Sequence, residues 1–265
     1  MAEPVLVVQT CWKRPANTRR QVEHLRSQSW PLRVVIVDNS PDDQEPLGVK
    51  RDDMVVDIYR VHQNLGPPCR FLPAYSLHDY KYVWWLDDDF LPRPRALEHL
   101  VATAEKLDGK FSTISQKGRR FERAPVHPKW EGKDWLYVQR NIKREEEPVP
   151  VDMTVRAHFV RADLIHHALS FKWELLSTFG ESAVRPAIDI HDDILLCVGI
   201  SKATGYPCYL TPTGPMDTLI LGKDLPDDHA VSERLPHHME RTELINYAAQ
   251  VGARYYDKML HTPQK

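Results

Sequence analysis

The stretch "YVWWLDDDFLPRP", Tyr82 to Pro94, constrains this chain more than any other. Five residues suited to a buried strand run without a break into three consecutive aspartates, then into a segment punctuated by prolines. A short continuous apolar run fits a strand covered on both faces, which is how parallel sheets are built. The carboxylates must then emerge at the strand's end, fixed to a rigid sheet edge. They form there either a solvated turn with a helix cap or a metal site for a nucleotide diphosphate.

The flanking segments support the sheet. "PVLVVQT", "LRVVIVDNSPDD" and "DMVVDIYRVHQNLGPP" read as three more strands, each ending in a polar turn. "RPANTRRQVEHLRSQS" reads as a helix starting near Asn17-Thr18, and "RFLPAYSLHDY" as helical after its proline. "PRALEHLVATAEKL" sets Leu97, Leu100, Val101 and Leu107 along one helical face. The alternation predicts an α/β fold with a mainly parallel sheet flanked by helices. Ligands of such sheets sit outside the carboxyl ends of the strands. Arg14, Asp38, Asn39, Asn64 and Asp87 to Asp89 are therefore expected to face one crevice.

The second half is less regular. Residues 115–150 read as long loops around a site. "MTVRAHFVRADLIHHALSF" predicts a strand and a helix, "IHDDILLCVGISKATG" an apolar helix with an acidic start and Gly205 as its stop. "CYLTP" reads as a strand and "HHMERTELINYAAQVGARYY" as a helix.

Composition excludes several classes. The 265 residues carry 35 Lys and Arg against 37 Asp and Glu, so net charge argues for neither nucleic acid nor membrane. No apolar run approaches the roughly 20 residues that span a bilayer, and the start reads as a strand instead of a signal peptide. Cys11, Cys69, Cys197 and Cys208 form no C-x-x-C pair, which points to a reducing, cytoplasmic setting. The P-loop, dinucleotide-binding, zincin and hydrolase-elbow motifs are all absent from the sequence.

Four constellations could carry chemistry. Asp-x-Asp at a strand end offers hard oxygen ligands to Mn²⁺ or Mg²⁺ while leaving positions for phosphate oxygens. "HDDILL" places Asp192 and Asp193 at a helix start, either complementing the macrodipole or facing a sugar's reacting carbon. His229, His237 and His238 could supply a metal ligand or a phosphate contact. Residues 117–144 hold nine Lys and Arg against three acids, with Phe121, Trp130, Trp135 and Tyr137 interleaved. That run is a solvated loop or an acceptor platform in which aromatics stack and cations hold phosphates.

"VVQTCWKRP", "QNLGPPCRFLP" ahead of "LDDD", "HDDILLCVGISKATG" and "HHMERTELIN" occur in this order along most of the chain. Together they resemble the GT-A fold of nucleotide-sugar glycosyltransferases, and within it the exostosin-like family. The resemblance implies a single Rossmann-like domain, with residues 1–110 binding the nucleotide sugar and 111–265 forming the catalytic and acceptor side. It implies that Arg14, Asn39, Asn64 and Arg70 hold uridine and diphosphate, with Asp38, Asp87 and Asp88 beside them. Asp89 and Asp87 would ligate Mn²⁺ or Mg²⁺, with His237 as a further ligand. Asp193 would lie at the anomeric carbon, with Asp192 next to it, and Arg241 would steady the leaving diphosphate. The family transfers amino sugars from UDP-donors with retention. Asp38 departs from it, standing where an aromatic is usual and resembling the uracil-contacting aspartate of the large inverting group.

The expected activity is thus metal-dependent transfer from a UDP-sugar, without a membrane partner. The acceptor is either a hydroxymethylpyrimidine in viral DNA or a cytoplasmic glycan. An inverting transferase, or an inactive nucleotide- or carbohydrate-binding module, is the competing reading.

Overall fold

In the computed structural model, residues 2–40, 47–61, 65–71, 73, 79–123, 133–137, 142, 146–189, 191–212, 222–224 and 235–255 are described. The strands begin with β1 (Val5–Cys11), β2 (Leu32–Asp38), β3 (Val55–Arg60), β4 (Tyr82–Leu86), β5 (Phe90–Pro92), β6 (Ile114–Ser115) and β7 (Gly118–Arg119). They continue with β8 (Phe121–Arg123), β9 (Trp135–Tyr137), β10 (Val149–Val151), β11 (Met153–Thr154), β12 (Ala157–Arg161), β13 (Cys208–Leu210) and β14 (Gly222–Asp224). The helices are α1 (Pro15–Arg26), α2 (Ala96–Lys106), α3 (Ile165–Phe179), α4 (Glu181–Ile188), α5 (Asp192–Thr204) and α6 (Leu235–Gln250).

Eight strands form the main sheet, in the order β10-β13-β6-β12-β4-β1-β2-β3. β4, β1, β2 and β3 run parallel, as do β13 and β6, while β12 runs antiparallel between β4 and β6. The α/β reading from sequence therefore holds. Strands on both sides of residue 110 belong to the same sheet. Because β2 and β3 extend to one side of β1 and β4 lies on the other, the order reverses at the β1–β4 boundary. The carboxyl ends of the strands at this boundary are the usual ligand position in such sheets.

Tyr82 to Leu86 are buried throughout, as a strand covered on both faces requires. Successive side chains alternate faces, so Trp84 packs with Leu97, Leu100 and Phe159 while Trp85 packs with Ile165, Leu196 and Ile200. Helix α5 is apolar all round from Ile194 to Ile200 and is buried accordingly. It meets α3 at Gly199, where an added Cβ would lie 2.9 Å from Cβ of Phe171 and 3.1 Å from Cα of Ala168. Gly205 ends α5 in the left-handed conformation, φ 74°, donating its N–H to Ser201 O at 2.8 Å.

Three expectations need correction or restriction. Helix α1 begins at Pro15, ahead of Asn17, because proline's fixed φ suits the first helical position. The segment expected to be helical after Pro73 lies mostly outside the described residues; ahead of it, Pro67–Arg70 form a 3₁₀ turn. Residues 115–150 are not simply loops: the described part forms short paired strands, β7 with β11 and β8 with β9.

Candidate active site

The acidic turn is clamped from below. Strand β4 ends at Leu86, and Phe90 donates its N–H to Asp87 O at 3.1 Å. Gln21, on the buried face of α1 with Thr18, Val22 and Leu25, donates its side-chain amide to Asp87 O at 2.6 Å and also to Phe90 O. Gln9 of β1 donates in turn to the Gln21 side chain. Two buried glutamines thus fix the backbone from which the three carboxylates project.

Each of those carboxylates meets an arginine. Asp88 accepts the Trp12 N–H at 2.9 Å and Arg14 Nη1 at 2.5 Å, which closes the end of β1 onto the end of β4. Burial raises the Asp88 carboxyl above the usual carboxylate range, and Arg14 opposes that rise. Asp87 pairs with Arg70 Nη1 at 2.8 Å. Asp89 pairs with Arg156 through Oδ2, while its Oδ1 is buried with no hydrogen-bond partner among the described residues. Burial, reinforced by Asp87, pushes the Asp89 carboxyl up to about 7.

The second acidic cluster is drawn onto the first. Trp85 donates its indole N–H to Arg70 O at 3.1 Å, seating the 3₁₀ turn against the sheet. Gly66 leads into that turn at φ 72°, and a Cβ there would fall 2.4 Å from Asp189 O, so glycine is required. The placed Arg70 turns its Nε to Asp192 at 2.8 Å. Burial pushes the Asp192 carboxyl up to about 7 even with Arg70 beside it. For Asp193 burial also acts upward, but Arg241, then His191 and His158, outweigh it and hold the carboxyl below its ordinary value. Arg241 Nη2 lies 3.1 Å from Asp193, and its Nε donates to His191 Nδ1 at 3.2 Å.

The structure therefore brings together Arg14, Arg70, Asp87, Asp88, Asp89, Asp192, Asp193 and Arg241. Asp38 ends β2 and Asn39 follows it at the same sheet edge, Asp38 accepting from Ser40 N at 3.2 Å and Asn39 from Leu65 N at 2.9 Å. Asn64 and His229 lie outside the described residues, as do the side chains of His237 and His238 in α6. Within "HHMERTELIN" the asparagine is structural: Asn246 accepts from Asp134 N at 2.7 Å and Trp135 N at 3.0 Å, anchoring β9 to α6.

Of the aromatics in the expected acceptor platform, the two whose side chains are described are not available for stacking. Phe121 and Trp135 are buried, each packed edge-on against Tyr255 at 4.8 and 5.1 Å between ring centroids. Trp130 and the Tyr137 side chain lie outside the described residues. Arg120 and Arg123 remain exposed.

Sequence reasoning missed Arg156, Gln21 and His191. A metal ion fits the turn on the chemistry of its donors: Asp87 and Asp89 are hard oxygen ligands, and Oδ1 of Asp89 has an unmet need for a positive group. Among the described residues no group of three or more His, Cys, Asp or Glu is placed to hold a metal by itself. Two carboxylates plus phosphate oxygens is the set a Mg²⁺ or Mn²⁺ site of this kind would use. A cavity of about 740 Å³ lies at the opposite end of β4, lined by Tyr80, Lys81, Glu105 and Arg161 among others, away from these carboxylates.

All four cysteines are buried and free, and among the described residues no helix is long and apolar enough to cross a membrane. No curated protein sequence matches the chain. Among solved structures, S. aureus TarS shares 14% identity with it over 80% of this chain and 37% of TarS, with a TM-score of 0.50. GalNAc-T7, solved with UDP, GalNAc and Mn²⁺, shares 12% identity over 80% of this chain and 43% of that one, with a TM-score of 0.50. The chain thus spans less than half the length of either, and the likeness is one of fold. Residues 6–167, from β1 through the acidic turn to the start of α3, match the family model for Glycosyl transferase family 2. Fold, crevice and match together place the chain in glycosyl transferase family 2, with a GT-A fold.

Proposed function

We propose that the chain transfers a sugar from a UDP-sugar to an acceptor hydroxyl, using Mn²⁺ or Mg²⁺ held by Asp87 and Asp89. One observation carries this reading: Arg70 bridges Asp87 and Asp192 at 2.8 Å each, so both acidic clusters face one crevice. The divalent cation, when bound, offsets charge on the departing diphosphate. The chain's own groups do the rest. Arg14, Asp38, Asn39 and Arg70 line the nucleotide side, and Asn64 is assigned to it from the sequence resemblance alone. Arg241 keeps Asp193 ionised and stands ready to steady the leaving phosphate.

Asp193, held as a carboxylate, suits the retaining course that the exostosin-like resemblance implies, since it can stabilise positive charge at the reacting carbon. Inversion is the second reading, and Asp192 favours it. A carboxyl pushed up to about 7 is matched to taking the acceptor hydroxyl's proton at neutral pH. The anomeric configuration of the first-formed product, read by NMR, separates the two courses.

The acceptor is a hydroxymethylpyrimidine in DNA or a cytoplasmic glycan. Exposed Arg120 and Arg123 support phosphate contacts, whereas buried Phe121 and Trp135 lend no stacking surface. The test is UDP release from a panel of UDP-sugars with Mn²⁺, with and without hydroxymethylated DNA, beside Asp89→Ala. Release that needs Asp89 supports the transferase. Stimulation by DNA that fades with salt assigns the acceptor, and its absence turns the search to glycans. No release from any donor brings the inactive binding module forward.

A further inference from the structure

Arg156 reaches the acidic turn from far along the chain. It lies between β11 and β12, with its neighbours fixed on both sides. Val155 donates its N–H to Lys117 O at 3.0 Å, and Ala157 pairs with Leu86 in the antiparallel β12–β4 ladder. The register that sets Ala157 opposite Leu86 sets Arg156 beside the Asp87–Asp89 turn. Arg156 holds φ 74°, a left-handed conformation that a non-glycine residue seldom adopts unless its surroundings impose it. Its guanidinium donates to Oδ2 of Asp89, and Oδ1 of the same carboxylate is left buried without a hydrogen-bond partner among the described residues. The Arg156 side chain is 29% exposed against 9% for Asp89, so the arginine has a way out and the carboxylate does not.

We propose that Arg156 is a displaceable counter-charge: it holds Asp89 when no metal is bound, yields the carboxylate to a divalent cation, and turns its guanidinium to the donor's diphosphate. The inference rests on the reading of Asp89 as a metal ligand. A single guanidinium only partly meets the need of a buried carboxylate that has Asp87 as a neighbour. A guanidinium left in place beside a divalent cation would be repelled by it. A diphosphate arriving at the same place offers the planar fork a better partner than solvent does. Metal binding without nucleotide must therefore break the Arg156–Asp89 pair, whereas with nucleotide the displaced guanidinium gains a diphosphate partner. Metal and nucleotide are in this way coupled through one side chain.

The test measures Mn²⁺ affinity by EPR of the free ion, with Mn²⁺ alone, and UDP affinity by calorimetry at saturating Mn²⁺. Wild type is compared with Arg156→Gly and Arg156→Asn, with Asp89→Asn as control. Glycine and asparagine both tolerate the left-handed backbone, so either variant keeps the β11–β12 connection intact. The expected pattern is crossed: both variants bind Mn²⁺ alone more tightly, on the order of tenfold, and bind UDP more weakly by a similar factor. If the two affinities fall together, Arg156 merely positions Asp89 and the inference is overturned. Unchanged affinities overturn it too, leaving the metal site standing. If Mn²⁺ binds no variant even with UDP present, the metal reading itself fails and takes the inference with it.

Discussion

Arg70 joins the two acidic clusters, its Nη1 2.8 Å from Asp87 and its Nε 2.8 Å from Asp192. It is held firmly protonated, since Asp192 and then Asp87 outweigh the burial that acts against its charge. Removing it would strand two carboxylates in a crevice that largely excludes water. Arg70→Ala is expected to cost about 3–5 kcal/mol, lowering Tm by roughly 6–20 °C. A loss under 2 °C in calorimetry would show that the pairs are broken in solution.

The neighbouring aspartates should separate cleanly. Asp88 ties Trp12 and Arg14 to the turn, so Asp88→Asn is expected to cost about 2 kcal/mol with Mn²⁺ binding retained. Asp89→Asn should change the metal-free Tm less, yet abolish the rise in Tm expected of the wild type with Mn²⁺ and UDP. Thermal shifts of the two variants, with and without Mn²⁺ and UDP, check both outcomes.

Stability should fall as pH rises. Asp89 and Asp192 are each pushed up to about 7 in the folded chain, against about 4 when unfolded. The native state thus holds their protons more tightly than the unfolded state does. No penalty exists below pH 4; it grows from pH 4 to 7 and is constant above. Tm of the metal-free protein is expected to drop several degrees between pH 5 and 8. Asp192→Asn should flatten that slope, and a slope the variant leaves unchanged would refute the assignment.

Arg241 acts on the opposite sign. Its guanidinium is the foremost group keeping Asp193 below the ordinary carboxylate value, against burial. Arg241→Ala should let the Asp193 pKa rise, moving the acid limb of the pH–kcat profile to higher pH. Asp193→Asn is expected to lower kcat by at least about 100-fold while UDP binding with Mn²⁺ persists. An acid limb that stays in place in Arg241→Ala would detach Asp193 from the chemistry.

The seam between α3 and α5 offers a test of packing alone. At Gly199 any side chain would press on Phe171 and Ala168. Gly199→Val is expected to destabilise by about 2–3 kcal/mol, with an unchanged denaturant m-value if only the seam is forced apart.

Much of this was legible in the sequence because it depends on local pattern. The apolar run of Tyr82 to Leu86 could only be a covered strand, and Gly205 marked the end of α5 because a left-handed stop favours glycine there. Arg14 and Asp87 to Asp89 fell where strand ends must gather, whereas Arg70 entered only through the family resemblance. Arg156 was hidden because an antiparallel return strand places it, a pairing across 67 residues that no local pattern records. Gln21 did leave a trace, a polar residue on the stripe of Val22 and Leu25. Phe121 and Trp135 misled because their basic neighbours set the character of the segment. Tyr255, near the far end of the chain, is what covers them.

The placement of β4 between β1 and β12 also dictates an order of events during synthesis. Until residues 157–161 have emerged from the ribosome, Trp84 and Trp85 sit on a strand with one open hydrogen-bonding edge. Bare apolar edges of this kind recruit other chains. At the end of that edge Asp87 and Asp88 can already meet Arg70 and Arg14, while Asp89 waits for Arg156, which emerges just ahead of the closing strand. One short stretch of late-made chain thus both covers the open edge of β4 and neutralises the last aspartate beside it.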